Sequence, residues 1–253
     1  MRSAIRSEFI KFRTVRMNWV LGIIAVLFPV VTTLLFAALA KEGEGGPPDL
    51  EALFRFLTIT CIVMVMLVGV LGASGVTGEF AFNTIRPTFA ATPRRSRVML
   101  AKAVVTAVAG LGIATVVMVV GLFGGAAVVS GRGRSGSIGD VPNLGIATVG
   151  FVLFTVIVAL LGLAVGMMVR STPGSVAVIV LWPLLAENII ASVLGIAGVD
   201  DANRWMPYGA GGALWSLDDS PGGFGRWGGG AYFLAVTVGL LLVGNLITSR
   251  RDA

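Results

Sequence analysis

The sequence predicts an all-α integral membrane protein with six transmembrane helices, and three observations predict it. Of its 253 residues, 56% are hydrophobic and only 13% charged, whereas a soluble globular domain carries about 25% charged residues. Five charge-free runs, Met17 to Ala40, Phe56 to Gly78, Ala103 to Gly131, Val141 to Val169 and Trp227 to Ser249, each exceed the roughly 20 residues that a spanning helix needs. The 35 glycines fit spanning helices, which tolerate glycine better than soluble ones do. The mean hydropathy of +0.92 agrees.

A single transmembrane domain, 1–253, is expected. Residues 1–16 read as an amphipathic interfacial segment, because Ile5, Phe9 and Phe12 share one helical face with Arg6 and Arg13 beside it. A plain basic anchor for the first span fits the same residues. The first spanning helix, 18–40, contains Pro29 and is followed by no small-residue cleavage pattern, so it reads as retained rather than removed. The second, 56–78, ends on Gly69, Gly72, Gly75 and Gly78 at intervals of three. Gly121 and Gly125 in the third, 103–130, and Gly162 and Gly166 in the fourth, 144–169, have the spacing that lets helices cross closely. General bundle packing explains these pairs better than a dimer interface. The fifth, 175–198, contains Pro183 and Glu187, and the sixth is 227–248. Pro29 and Pro183 are each expected to kink their helix.

Lysine and arginine near helix ends set the orientation. With the N-terminus cytoplasmic, thirteen fall inside: Arg2, Arg6, Lys11, Arg13, Arg16, Arg86, Arg94, Arg95, Arg97, Lys102, Arg170, Arg250 and Arg251. Six fall outside: Lys41, Arg55, Arg132, Arg134, Arg204 and Arg226. Both termini are therefore expected in the cytoplasm. The net charge of +6 then belongs mainly to topology, so anionic lipid of the inner leaflet is the expected partner and nucleic acid is not.

Composition closes several chemical routes. The chain has no histidine, hence no His-based zinc site, Ser-His relay or haem His ligand. Its one cysteine, Cys61, cannot form a disulfide within one chain. No Gly-Lys-Ser or Gly-Lys-Thr occurs, so no phosphate-cradling loop is present and no catalytic, metal or cofactor residues are assigned. ATP-driven work needs a partner.

Glu187, beside Asn188, is the sharpest intramembrane feature, since a carboxylate at bilayer depth normally faces protein, water or a counter-charge. It lies on a substrate path, or is a structural carboxylate bonded between helices, or follows a half-helix, Ser175 to Ala186, after which the chain bends back toward the outer face and water. Trp205, Met206, Pro207, Tyr208, Leu214 and Trp215 suit an interfacial or re-entrant segment between helices 5 and 6.

Between the second and third spans, Glu79 is followed by Thr84, Ile85 and Arg86, then Pro93, an arginine at 95 or 97, and the pair Ala101-Lys102. This ordered set resembles the inner loop of ABC-2 type transporter permeases, the membrane subunits of ATP-binding-cassette exporters. Pro207-Tyr208 before the last helix matches the same pattern. Asn83 stands where the family has glycine, and Pro87 is accommodated if a helix begins there.

The resemblance implies a permease in the plasma membrane with a short cytoplasmic coupling helix between helices 2 and 3. It implies an ABC ATP-binding subunit that binds ATP and Mg, and a second permease chain, identical or homologous. The implied activity is efflux, with an amphipathic substrate moved outward and no ATPase site in this chain. A subunit without a nucleotide site must receive motion through its cytoplasmic face, and Glu79, Thr84, Arg86, Arg94, Arg95 and Arg97 are the expected ATPase-coupling residues. The competing reading is an ion- or proton-coupled secondary carrier or channel using Glu187.

Overall fold

The computed structural model describes residues 2–40, 48–82, 95–133, 141–218 and 223–251. Among them there is helix and no strand. Six helical stretches are long and apolar enough to cross a membrane: Arg16–Leu39, Leu50–Ala81, Arg97–Gly131, Leu144–Val169, Thr172–Ile196 and Gly225–Thr248. The expected coupling helix falls on residues 83–94, outside the described residues.

The chain opens with helix α1 (Arg2–Thr14), then turns at Val15 into α2 (Arg16–Leu39). Two side chains of α2 close this elbow, Asn18 Nδ2 donating to the Phe12 carbonyl at 3.1 Å and Trp19 Nε1 to that of Arg13 at 2.7 Å. They satisfy carbonyls that the end of α1 leaves without an intrahelical partner. Pro29 is buried inside α2, which is assigned as one continuous helix.

Helix α3 (Leu50–Ala81) starts on Asp49, whose side chain accepts the Ala52 N–H at 2.7 Å. It is followed by α4 (Arg95–Gly131) and α5 (Leu144–Val169). α3 and α5 form the centre of the bundle: 61% of the most apolar window of each is buried, against 28% for α2 and 11% for the fifth span. Their contact is a glycine crossing. A Cβ on Gly162 would run into the Gly69 carbonyl, one on Gly72 into the Ala159 carbonyl, and one on Gly166 would lie 2.8 Å from the Ala73 carbonyl. Without side chains at these positions the backbones approach directly. Gly121 and Gly125 of α4 pack instead on Leu57 and Leu53, whereas Gly75 and Gly78 face open space. Buried hydroxyls do not break this core, because Thr58 and Thr155 donate to the carbonyls of Phe54 and Phe151 at 2.9 and 3.0 Å.

The fifth span consists of α6 (Thr172–Leu181), a π-helical turn (Trp182–Ala186) and α7 (Glu187–Ile196). Pro183 has no N–H and its ring crowds the preceding turn. The ladder resumes five residues on, with the Glu187 N–H bonded to the Trp182 carbonyl. The expected kink is therefore a wide turn.

The segment between the fifth and sixth spans forms a 3-10 turn (Ala202–Trp205), a short helix α8 (Pro207–Gly212) and a second 3-10 turn (Ala213–Trp215). It is seated tightly against the bundle. Gly150 of α5 abuts the Leu214 carbonyl, and Gly229 of α9 (Gly225–Arg251) abuts that of Ala210. Tyr208 adds an aromatic cluster, its ring 6.0 Å from Phe154 and 5.1 Å from Phe233.

Candidate functional site at the end of α3

The last turn of α3 is held from two sides. On one side α1, α3 and α4 contribute a partly buried cluster of two carboxylates and two ammonium groups. Glu79 Oε1 accepts Lys11 Nζ and Lys102 Nζ, both at 2.8 Å. Glu8 takes the same two lysines on separate oxygens, Lys11 at 2.8 Å and Lys102 at 2.7 Å. Lys102 Nζ also donates to the Gly75 carbonyl at 3.0 Å. Lys102 and Glu8 are only 3% and 6% exposed, so each needs its partners: a buried charge is tolerated when paired and hydrogen-bonded. Glu79 Oε2 is buried without a hydrogen-bond partner among the described residues, beside a cavity of about 660 Å³ lined also by Phe12, Asn18, Ser74 and Phe82.

Lys11 has its pKa raised. Burial works against its charge, but the hydrogen bonds it donates to Glu79 and Glu8 and their negative charges outweigh it.

On the other side, Thr172 donates to Thr77 Oγ1 at 2.8 Å, and the Arg170 guanidinium lies 4.7 Å from the Phe80 ring centroid. α3 thus ends in contact with α1, α4 and the turn between α5 and α6.

Of the sequence-predicted coupling residues, Glu79 is in this cluster. Arg97 is exposed in the first turn of α4, and Arg95 begins that helix. Cations there oppose the helix dipole, so helix stability does not explain them. Thr84, Arg86 and Arg94 lie outside the described residues.

Glu187 and Asn188 sit elsewhere, at the π-helical turn. Glu187 is 4% exposed; it does not reach water by a backward bend. Its Oε1 accepts the Trp182 indole N–H and the Tyr208 backbone N–H, both at 3.0 Å, and its Oε2 accepts the Gly209 N–H at 3.1 Å. It thereby satisfies two of the N–H groups at the start of α8. Asn188 donates to the carbonyls of Pro183 at 3.2 Å and Leu184 at 3.0 Å.

Sequence reasoning missed Glu8, Lys11 and Asn18. Glu8 was the available signal: a single acid in a basic amphipathic stretch, three residues from Lys11.

The model of the ABC-2 family transporter proteins matches residues 4–194. The chain belongs to this family. Membership makes it a multi-pass membrane permease of the ABC type; proteins of this family are membrane components without an ATPase site of their own, and the family implies partnership with an ABC ATP-binding subunit. The match takes in α1, the ion-pair cluster and Glu187, and ends within α7, so the seated segment and α9 lie beyond it. No curated protein and no solved structure matches this ABC-2 chain.

Proposed function

We propose that this ABC-2 chain is the transmembrane subunit of an exporter that moves an amphipathic substrate outward, driven by ATP that a separate subunit binds with Mg and hydrolyses. The observation that carries this reading is the family match over residues 4–194, which includes the whole of the segment from Glu79 to Lys102. In this reading the chain sits in the plasma membrane with both termini cytoplasmic, and two permease chains pair with two ATP-binding subunits.

Thr84, Arg86, Arg94, Arg95 and Arg97 provide the docking surface, and Glu79 transmits. Its salt bridges to Lys11 and Lys102 support that division of labour, because they join the last turn of α3 to α1 and α4. Motion imposed on the loop then tilts three elements together rather than one. The carrier reading is not favoured, because Glu187 already accepts three N–H donors.

Co-expression with a candidate ABC ATP-binding subunit tests the proposal. A complex should form whose ATPase activity falls when Arg95→Ala or Glu79→Gln is introduced, with Arg95→Ala weakening the complex itself. Active transport by the chain alone in liposomes, without ATP, would overturn it.

A further inference from the structure

A groove of about 680 Å³ runs between α1, α2 and α4, within the range of about 300–1,000 Å³ typical of small-molecule sites. Its walls include Phe12 from α1, Trp19 and Ile23 from α2 and Val108 from α4. Trp19, Ile23 and Val108 are about half exposed, so the groove opens on the outer surface of the bundle. Gly22 and Gly112 line it, and a Cβ at either would meet nothing within 4 Å. The missing side chains leave room rather than admit a neighbouring helix. Arg13 is the one charged residue of the lining.

The exposed charge of α1 and of the start of α2 is one-sided. Glu8, the only acid of α1, is turned inward and neutralised by Lys11 and Lys102. Arg2, Arg6, Arg13 and, at the start of α2, Arg16 remain exposed. An apolar slot at the end of a spanning bundle, with the exposed Arg13 in its lining, complements a hydrocarbon chain carrying an anionic head. Trp19 is fixed at that rim by its bond to the Arg13 carbonyl, as suits an interfacial aromatic.

We propose that this groove binds one acyl chain of an anionic phospholipid whose phosphate is held by Arg13. The site does not depend on the transport reading and needs no ATP-binding subunit.

Native mass spectrometry of the detergent-purified chain, titrated in parallel with phosphatidylglycerol and phosphatidylcholine of identical chains, tests it. One adduct should form with a preference of about fivefold for phosphatidylglycerol, the effect of one basic residue near an anionic head. Arg13→Gln should remove the preference. Gly22→Leu and Gly112→Leu should lower binding of both lipids by about tenfold, as expected for losing a buried chain contact. A Cβ at Gly22, Gly112 or Gly239 meets no protein atom within 4 Å; the thermal unfolding midpoint of each variant should match that of the unsubstituted chain, and Gly239→Leu should leave binding unchanged. Equal binding of the two lipids, or unimpaired binding by the groove-filled variants, would overturn the site. So would a two-chain species that forms at the expense of lipid, since the groove would then hold a second copy.

Discussion

Lys102 Nζ lies 2.7 Å from Glu8 Oε2, across 94 positions of sequence. This bond fastens a surface helix to the start of a spanning one. Because both groups are buried, its value lies in balance: four charges cancel, and removing one leaves an uncompensated charge.

Lys102→Met should therefore lower the thermal midpoint in detergent by about 10 °C, the equivalent of about 3–5 kcal/mol in a chain of this size. Adding Glu8→Leu should recover much of that loss, since Lys11 and Glu79 remain as a neutral pair. A double-mutant cycle measures the coupling. Strictly additive losses would refute the balance.

A glycine near the end of α3 and one in α5 should respond in opposite ways. Gly162→Ala drives a methyl into the Gly69 carbonyl and should markedly reduce folded yield on size exclusion. Gly75→Ala meets open space and replaces glycine with a better helix former, a gain of up to about 1 kcal/mol. Equal tolerance of both would show that α3 and α5 do not depend on close approach.

Glu187→Leu removes the acceptor for three N–H groups and should loosen the segment around α8, read as faster proteolytic cleavage between residues 199 and 226. Glu187→Gln keeps one acceptor oxygen and should have an intermediate effect. Loss of transport with unchanged cleavage would instead place the carboxylate on the substrate path.

The raised pKa of Lys11 fixes the sign of one pH effect. A lysine whose pKa is higher in the folded state contributes stability fully below its ordinary value of 10.5 and loses it as pH rises through the folded value. Docking of α1, followed by a spin label at an exposed position such as Ser7, should hold constant from pH 7 to 9 and loosen only above about 10.5. Lys11→Gln should abolish that alkaline step. Loosening near neutrality would point to a different group.

Long charge-free runs made the six helices legible, because apolar length alone decides whether a segment can span. The same rule placed helix ends at charges, and there the structure differs. α3 begins at Leu50 rather than 56, since Glu51 and Arg55 pair at 2.8 Å on its exposed first turns. α4 continues back past Lys102 to Arg95, because Glu8 and Glu79 neutralise that lysine inside the helix. A charge bounds the apolar span but not the helix, since Arg, Lys and Glu are good helix formers, and partners from elsewhere in the chain are invisible to a linear reading. A structural role for Glu187 is among the readings of the sequence, but its partners are hidden for the same reason: its donors at Tyr208 and Gly209 come 21 and 22 residues later.

The π-helical turn at Trp182–Ala186 inserts one surplus residue into the fifth span. Each residue of a helix advances the side-chain direction by about 100°, so the stripes of α6 and α7 are rotated out of line. A straight neighbouring helix can mesh with the half before the turn or the half after it, but not with both. Whatever lies alongside this span in the bilayer must therefore cross it or change over at Pro183.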